Sequence, residues 1–206
     1  MSQSITFNSN DQGYPTRDVH RPKPMPLIAN YQFGVILFIA TELMFFAALV
    51  SAFIVIKASA SSQWAPPLGA MLPKEVTLIN AFILLMSGLF MFLSARAFQN
   101  SDVSRCKAYF KQAIFLALVF VGVQGFEWVR LLSHGMTISS GIFGACFYLI
   151  VGAHAIHAFS GAIGLTVMYY WLNREALSTD GLWAMQIFWT FVVAVWPILY
   201  WLVYFK

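Results

Sequence analysis

The sequence predicts an all-α integral membrane protein, a bundle of five transmembrane helices with the N-terminus cytoplasmic and the C-terminus periplasmic. Three observations carry that reading. The 206 residues are 60% hydrophobic and only 10% charged, where a soluble domain carries about 25% charged residues. Five apolar stretches are each near the ~20 residues that span a bilayer. The basic residues collect between those stretches rather than within them. With a mean hydropathy of +0.72, the chain has too few charges to cover a globular surface, and lipid is the simplest environment for the excess apolar side chains.

The stretches are taken as helices at about 32–56, 76–97, 113–129, 140–171 and 182–205. A helix satisfies its own backbone hydrogen bonds in lipid, and the period-2 alternation of a membrane barrel is missing. The fourth stretch is the longest and is expected to tilt or protrude. Ahead of them, residues 1–30 form a polar tail expected in the cytoplasm, and residues 31–206 form one membrane domain. The tail shows no short apolar core with a cleavage site, so no signal peptide is expected and the first span directs its own insertion.

Orientation follows from the connections. Arg17, Arg21, Lys23, Arg96, Arg105, Lys107, Lys111 and Arg174 fall on one side, and Lys57, Lys74, Arg130 and Lys206 on the other. The richer side is cytoplasmic by the positive-inside rule. Tyr31, Trp64, Trp128, Trp171, Trp183, Trp201 and Tyr204 flank the spans as an interfacial aromatic belt.

Several function classes are disfavoured. The net charge of +4 and pI near 9.2 reflect the basic connections, not a basic nucleic-acid face. Cys106 and Cys146 give neither a disulfide framework nor zinc spacing. Covalent haem attachment, a Walker loop, a dinucleotide glycine pattern and a serine elbow are all missing from the pattern. No metal, cofactor or catalytic residue is expected in this chain.

The informative residues are those that do not belong in lipid. Glu42 lies mid-way along the first span, where a charge costs about 2.5–3.5 kcal/mol, so it must be neutral, paired or turned toward protein. Proton handling, lipid-headgroup binding and a plain interhelical hydrogen bond all fit it. His154 and His157 in the fourth span are three residues apart, which puts them on one helical face. One such pair lacks the further ligands of a metal site, and interhelical hydrogen bonding, with Glu42 at similar depth, fits better. Gln124, Glu127 and Arg130 follow one another at helical spacing in the third span and suggest an interfacial ion pair. Asn80 and Ser87 share a face of the second span, as interhelical polar contacts do. Small residues suggest packing ridges: Gly34, Thr41, Ala48 and Ala52 on the first span; Gly141, Gly144, Gly152 and Ala155 on the fourth, with Gly161 and Gly164 continuing the histidine face. Phe45, Phe46, Phe82, Phe90 and Phe120 are left to face lipid or a partner subunit.

These residues carry a resemblance. The run Phe38-Ile-Ala-Thr-Glu-Leu-Met-Phe-Phe-Ala47 resembles the glutamate-centred motif of the cytochrome c oxidase subunit III family. Trp64, Pro66, Pro67, Leu72 and Pro73, then Asn80, Leu84, Leu85 and Ser87, continue the match, as do Gln124, Glu127 and Trp128. Phe147-Tyr148 and the pattern Gly152-x-His154-x-x-His157 resemble the family's histidine motif. The resemblance covers residues 30–206 and is closest to the short, five-helix bacterial form. The last span departs from the family pattern: where the family usually reads Trp-His-Phe-Val-Asp, this chain has Thr190 for the histidine and Val193 for the aspartate.

The resemblance implies a non-catalytic subunit of a haem-copper terminal oxidase in the bacterial inner membrane. It would dock on subunit I beside other oxidase subunits, help sustain proton uptake, and hold phospholipid in an interhelical cleft by Glu42 and His157. Haem and copper would reside in the partner subunits. Two alternatives remain open: an accessory subunit of a nitric oxide reductase, and a small transporter or proton channel routed through Glu42, Asn80, His154 and His157.

Overall fold

The computed structural model describes residues 30–60, 64 and 74–205. The expected polar tail, with Arg17, His20, Arg21 and Lys23, lies outside the described residues. So do Pro66, Pro67, Leu72 and Pro73 of the first connection, and Lys206. The described residues are all-helical: α1 Asn30–Ala60, α2 Lys74–Gln99, α3 Val103–Ser133, α4 Ile142–Asn173 and α5 Thr179–Tyr200, the last followed by a π-helical turn Trp201–Phe205. All five helices are long and apolar enough to cross a membrane.

Two boundaries differ from the apolar stretches for visible reasons. α3 starts at Val103, well ahead of Ala113, because the Asp102 side chain caps it by accepting from the Arg105 amide at 3.0 Å. Charged residues end a hydropathy window without ending a helix. α4 starts at Ile142 because the preceding turn is closed differently. Ser140 Oγ donates to the Thr137 carbonyl at 2.7 Å, and Gly141 sits at φ +127°, a conformation only glycine adopts freely. In α5, Pro197 has no amide to give the helix, and the π turn follows directly.

The packing is a four-helix bundle with a fifth helix laid against it. α2 and α3 pack most extensively, α5 lies between α2 and α4, and α3 meets α4. Three rungs set the α2–α3 register: Asn80 Nδ2 donates to the Phe120 carbonyl (3.1 Å), Ser87 Oγ to the Ala113 carbonyl (2.8 Å) and Ser94 Oγ to the Cys106 carbonyl (3.0 Å). Donors and acceptors both step by seven residues, the repeat that keeps one seam facing its partner along two antiparallel helices. Trp189 and Trp196 of α5 fill the centre with Phe110, Phe120 and Phe147.

α1 touches only α4 and α5 among the helices it packs against appreciably, and its buried side chains are Phe46 and Phe53. The expected small-residue ridge on α1 packs against no helix of this chain: Gly34, Thr41, Ala48 and Ala52 are exposed, and a Cβ on Gly34 would meet nothing within 4 Å. Bulky residues one heptad apart make the seam instead. On α4 the close approach to α5 falls on Gly161 and Gly164, the expected continuation of the histidine face, while Gly144 is crowded by its own preceding turn at Thr137 and Ser140. A Cβ on Gly161 would come within 2.7 Å of the Trp189 ring, and one on Gly164 within 3.0 Å of Met185. Of the large apolar residues left unassigned, Phe46 and Phe120 are core, Phe90 is half-buried, and Phe45 and Phe82 stay exposed.

A glutamate–histidine pair as candidate functional site

α1 carries Glu42 to the face that meets α4, and α4 carries His157 to the same level. Glu42 Oε2 and His157 Nε2 lie 2.8 Å apart. The other ring nitrogen, Nδ1, is 2.7 Å from the Ala153 carbonyl one turn back. A carbonyl only accepts, so Nδ1 carries a hydrogen. The Nε2–Oε2 contact then needs one further proton. Held on the carboxyl, it leaves two neutral groups; held on the imidazole, it makes an ion pair. The net charge of the pair is zero in both forms, which is how a carboxylic acid is accommodated in an apolar span.

Aromatic rings enclose this pair. Phe46 stands edge-on to His157 at 5.2 Å, with Phe45 at 6.4 Å and Phe188 of α5 at 6.5 Å. The enclosure is incomplete: the Glu42 and His157 side chains keep 19% and 17% of their surface exposed. The pair therefore sits on the α1–α4 seam, within reach of a molecule lying along it.

His154 does not join it. Residues three apart on a helix diverge by about 60°, and here that difference turns His154 inward. It stacks on Trp196 at 4.8 Å, meets Phe120 edge-on at 6.3 Å, and is 1% exposed. Neither ring nitrogen has a hydrogen-bond partner among the described residues. His154 lines a cavity of about 190 Å³ between α3 and α4 with Phe120, Gln124, Trp128 and Trp196. The two histidines thus face different surroundings, one at the seam and one in the core.

The remaining candidates are structural in geometry. Asn80 and Ser87 are the α2–α3 rungs already described. Gln124 and Glu127 are buried, and Arg130 is exposed, its guanidinium 4.0 Å from the Glu127 carboxylate. Tyr204 in the π turn is buried, stacked on Tyr200 at 5.2 Å and edge-on to Phe147 of α4 at 6.3 Å. Two contributors escaped the sequence reading. Ser94 continues the heptad of Asn80 and Ser87, a signal that was present. Trp189 donates its indole N–H to Ser87 Oγ at 3.1 Å, tying α5 to the α2–α3 hairpin; nothing in the pattern separates a core tryptophan from a belt tryptophan.

The geometry can be set beside known proteins. The family model described as cytochrome c oxidase subunit III matches residues 17–206. The chain belongs to the cytochrome c oxidase subunit III family. It is 33% identical over 211 residues to the cytochrome c oxidase subunit 3 of Rhipicephalus sanguineus, spanning 98% of this chain and 77% of that one. It is 30% identical over 176 residues to the subunit 3 of Corynebacterium diphtheriae, spanning 84% of this chain and 86% of that one. A probable subunit 3 of Mycobacterium leprae is 29% identical over 182 residues, with the same coverage of 84% and 86%.

Membership of the subunit III family, with five spanning helices, makes this a multi-pass membrane protein that is one part of an oxidase complex. The two departures in the last span have clear places. Thr190 is exposed on α5. Val193 is 7% exposed and closes on α2, with its Cγ1 3.0 Å from where a Cβ on Gly88 would stand. An apolar contact thus occupies the position at which the subunit III pattern usually has an aspartate.

Proposed function

We propose that this chain is a non-catalytic accessory subunit of a haem-copper terminal oxidase in a bacterial inner membrane, with the N-terminal tail in the cytoplasm and the C-terminus in the periplasm. It packs on the catalytic subunit, which holds the haem and copper, and retains phospholipid at the α1–α4 seam. The observation that carries the reading, beside family membership, is the Glu42–His157 contact at 2.8 Å. It places a neutral polar pair on the rim of a lightly packed helix, where a lipid lies against it without meeting a net charge. Its role is to keep the proton-uptake surface and lipid environment of the catalytic subunit intact through repeated turnover.

The test is to purify the oxidase from cells that lack this chain. The remaining complex is expected to keep its haem spectrum and copper content, to start at near-normal rate, and to lose activity faster during turnover. Loss of haem or copper in proportion to loss of this chain would contradict a non-catalytic role.

A further inference from the structure

A second feature lies away from the α1–α4 seam. On the outer face of the α2–α3 hairpin, Phe90, Lys111, Gln112, Phe115 and Leu116 line a groove of about 300 Å³. The lining is apolar apart from Lys111 and Gln112. Lys107, Lys111 and Phe115 are each four residues apart on α3, so both lysines share the helix face that carries Phe115. Tyr109 stacks on Phe90 at 6.2 Å and stiffens one wall.

The depth fits a lipid at the membrane boundary. α3 has 31 residues and is about 46 Å long at ~1.5 Å per residue, well beyond a ~30 Å hydrocarbon core. The apolar stretch begins at Ala113, so Lys111 stands at its edge and Phe115 and Leu116 just inside. The charge around the mouth is unbalanced. Asp102 is taken by Arg105 at 3.3 Å, and Arg96 lies over the Phe92 ring at 5.0 Å. Neither Lys107 nor Lys111 has an ion-pair partner among the described residues. Two unbalanced cations above an apolar trough are complementary to an anionic headgroup above an acyl chain.

We infer that the α2–α3 hairpin binds one anionic phospholipid, with its phosphate at Lys107 and Lys111 and an acyl chain in the groove between Phe90, Phe115 and Leu116. This site is separate from the Glu42–His157 seam and does not depend on it.

Native mass spectrometry of the intact, delipidated oxidase, titrated with phosphatidylglycerol or phosphatidylcholine, tests it. The wild type is expected to take up one phosphatidylglycerol that phosphatidylcholine does not match. Lys107→Gln and Lys111→Gln should each weaken that uptake roughly fivefold. Leu116→Trp, which keeps both charges and fills the groove, should abolish it. Arg174→Gln, an exposed cation on the 4–5 connection, should leave it unchanged. If Leu116→Trp fails to assemble, the lysine variants carry the test. Equal uptake of the two lipids, lysine variants that behave as the wild type, or a Lys111 that cross-links to an acidic side chain of another subunit would each overturn the proposal.

Discussion

Glu42 and His157 are 115 residues apart in the chain and 2.8 Å apart in the fold. They join α1, the helix with the least buried surface, to α4 of the bundle. Because His157 Nδ1 is committed to the Ala153 carbonyl, the pair holds a single shared proton between Nε2 and Oε2. Removing either partner leaves a polar group without its complement in an apolar setting, at a cost of about 1–3 kcal/mol.

Glu42→Ala and His157→Ala are therefore expected to loosen α1 and release bound phospholipid. The initial rate of oxygen consumption should change little, while the half-life of activity during turnover shortens. Glu42→Gln, whose amide donates to His157 Nε2, should lie close to wild type. Lipid counts and activity decay on the purified complex check this. An equal fall in initial rate and haem signal for both alanine variants would refute it.

Ser87 serves two helices at once, donating to the Ala113 carbonyl and accepting from Trp189. Ser87→Ala leaves the buried Trp189 indole N–H unpaired and should cost about 1–3 kcal/mol. Ser94→Ala, which frees no tryptophan, should cost less. Thermal melting of the purified complex, read through retention of this subunit, orders the two.

At Gly161 the Trp189 ring of α5 lies directly against the α4 backbone. Gly161→Ala drives a methyl group into the Trp189 ring and should destabilise by about 1–3 kcal/mol. Gly122→Ala has nothing within 4 Å of the new Cβ and should stabilise α3 slightly through helix propensity. The same melting assay compares them; opposite signs are expected.

Val193→Asp restores the residue usual in the family pattern but not the surroundings it needs. The carboxylate would be buried in the apolar contact that Val193 now makes beside Gly88. An unpaired buried charge costs about 3–5 kcal/mol, so this variant should fail to assemble. Thr190→His, on an exposed position, should be tolerated. Expression and co-purification of the two variants check this, and a fully assembled Val193→Asp complex would show that α5 packs otherwise.

The parts of this fold that were legible in the sequence are those that lipid enforces. Five spans show because each must be apolar over its length, and Glu42 and His157 show because they break that rule. The start of α3 does not show: Arg105, Lys107 and Lys111 end the apolar run while the helix continues under its Asp102 cap. The separation of His154 from His157 is invisible at spacing three, since a 60° turn decides whether a ring meets α1 or Trp196. The small-residue ridge on α1 meets no helix of this chain, and Phe46 and Phe53 are the side chains α1 buries instead. Trp189 carries no mark in the sequence pattern, and only the fold shows that its indole N–H reaches Ser87 of α2.

The most direct test of the central claim is purification of the tagged chain from native membranes in a gentle detergent, with a reduced-minus-oxidised spectrum of the eluate. An a-type or o-type haem signal, a large co-eluting subunit and oxygen consumption are the expected result. A chain that elutes alone and colourless, under conditions that keep other membrane complexes whole, would contradict it.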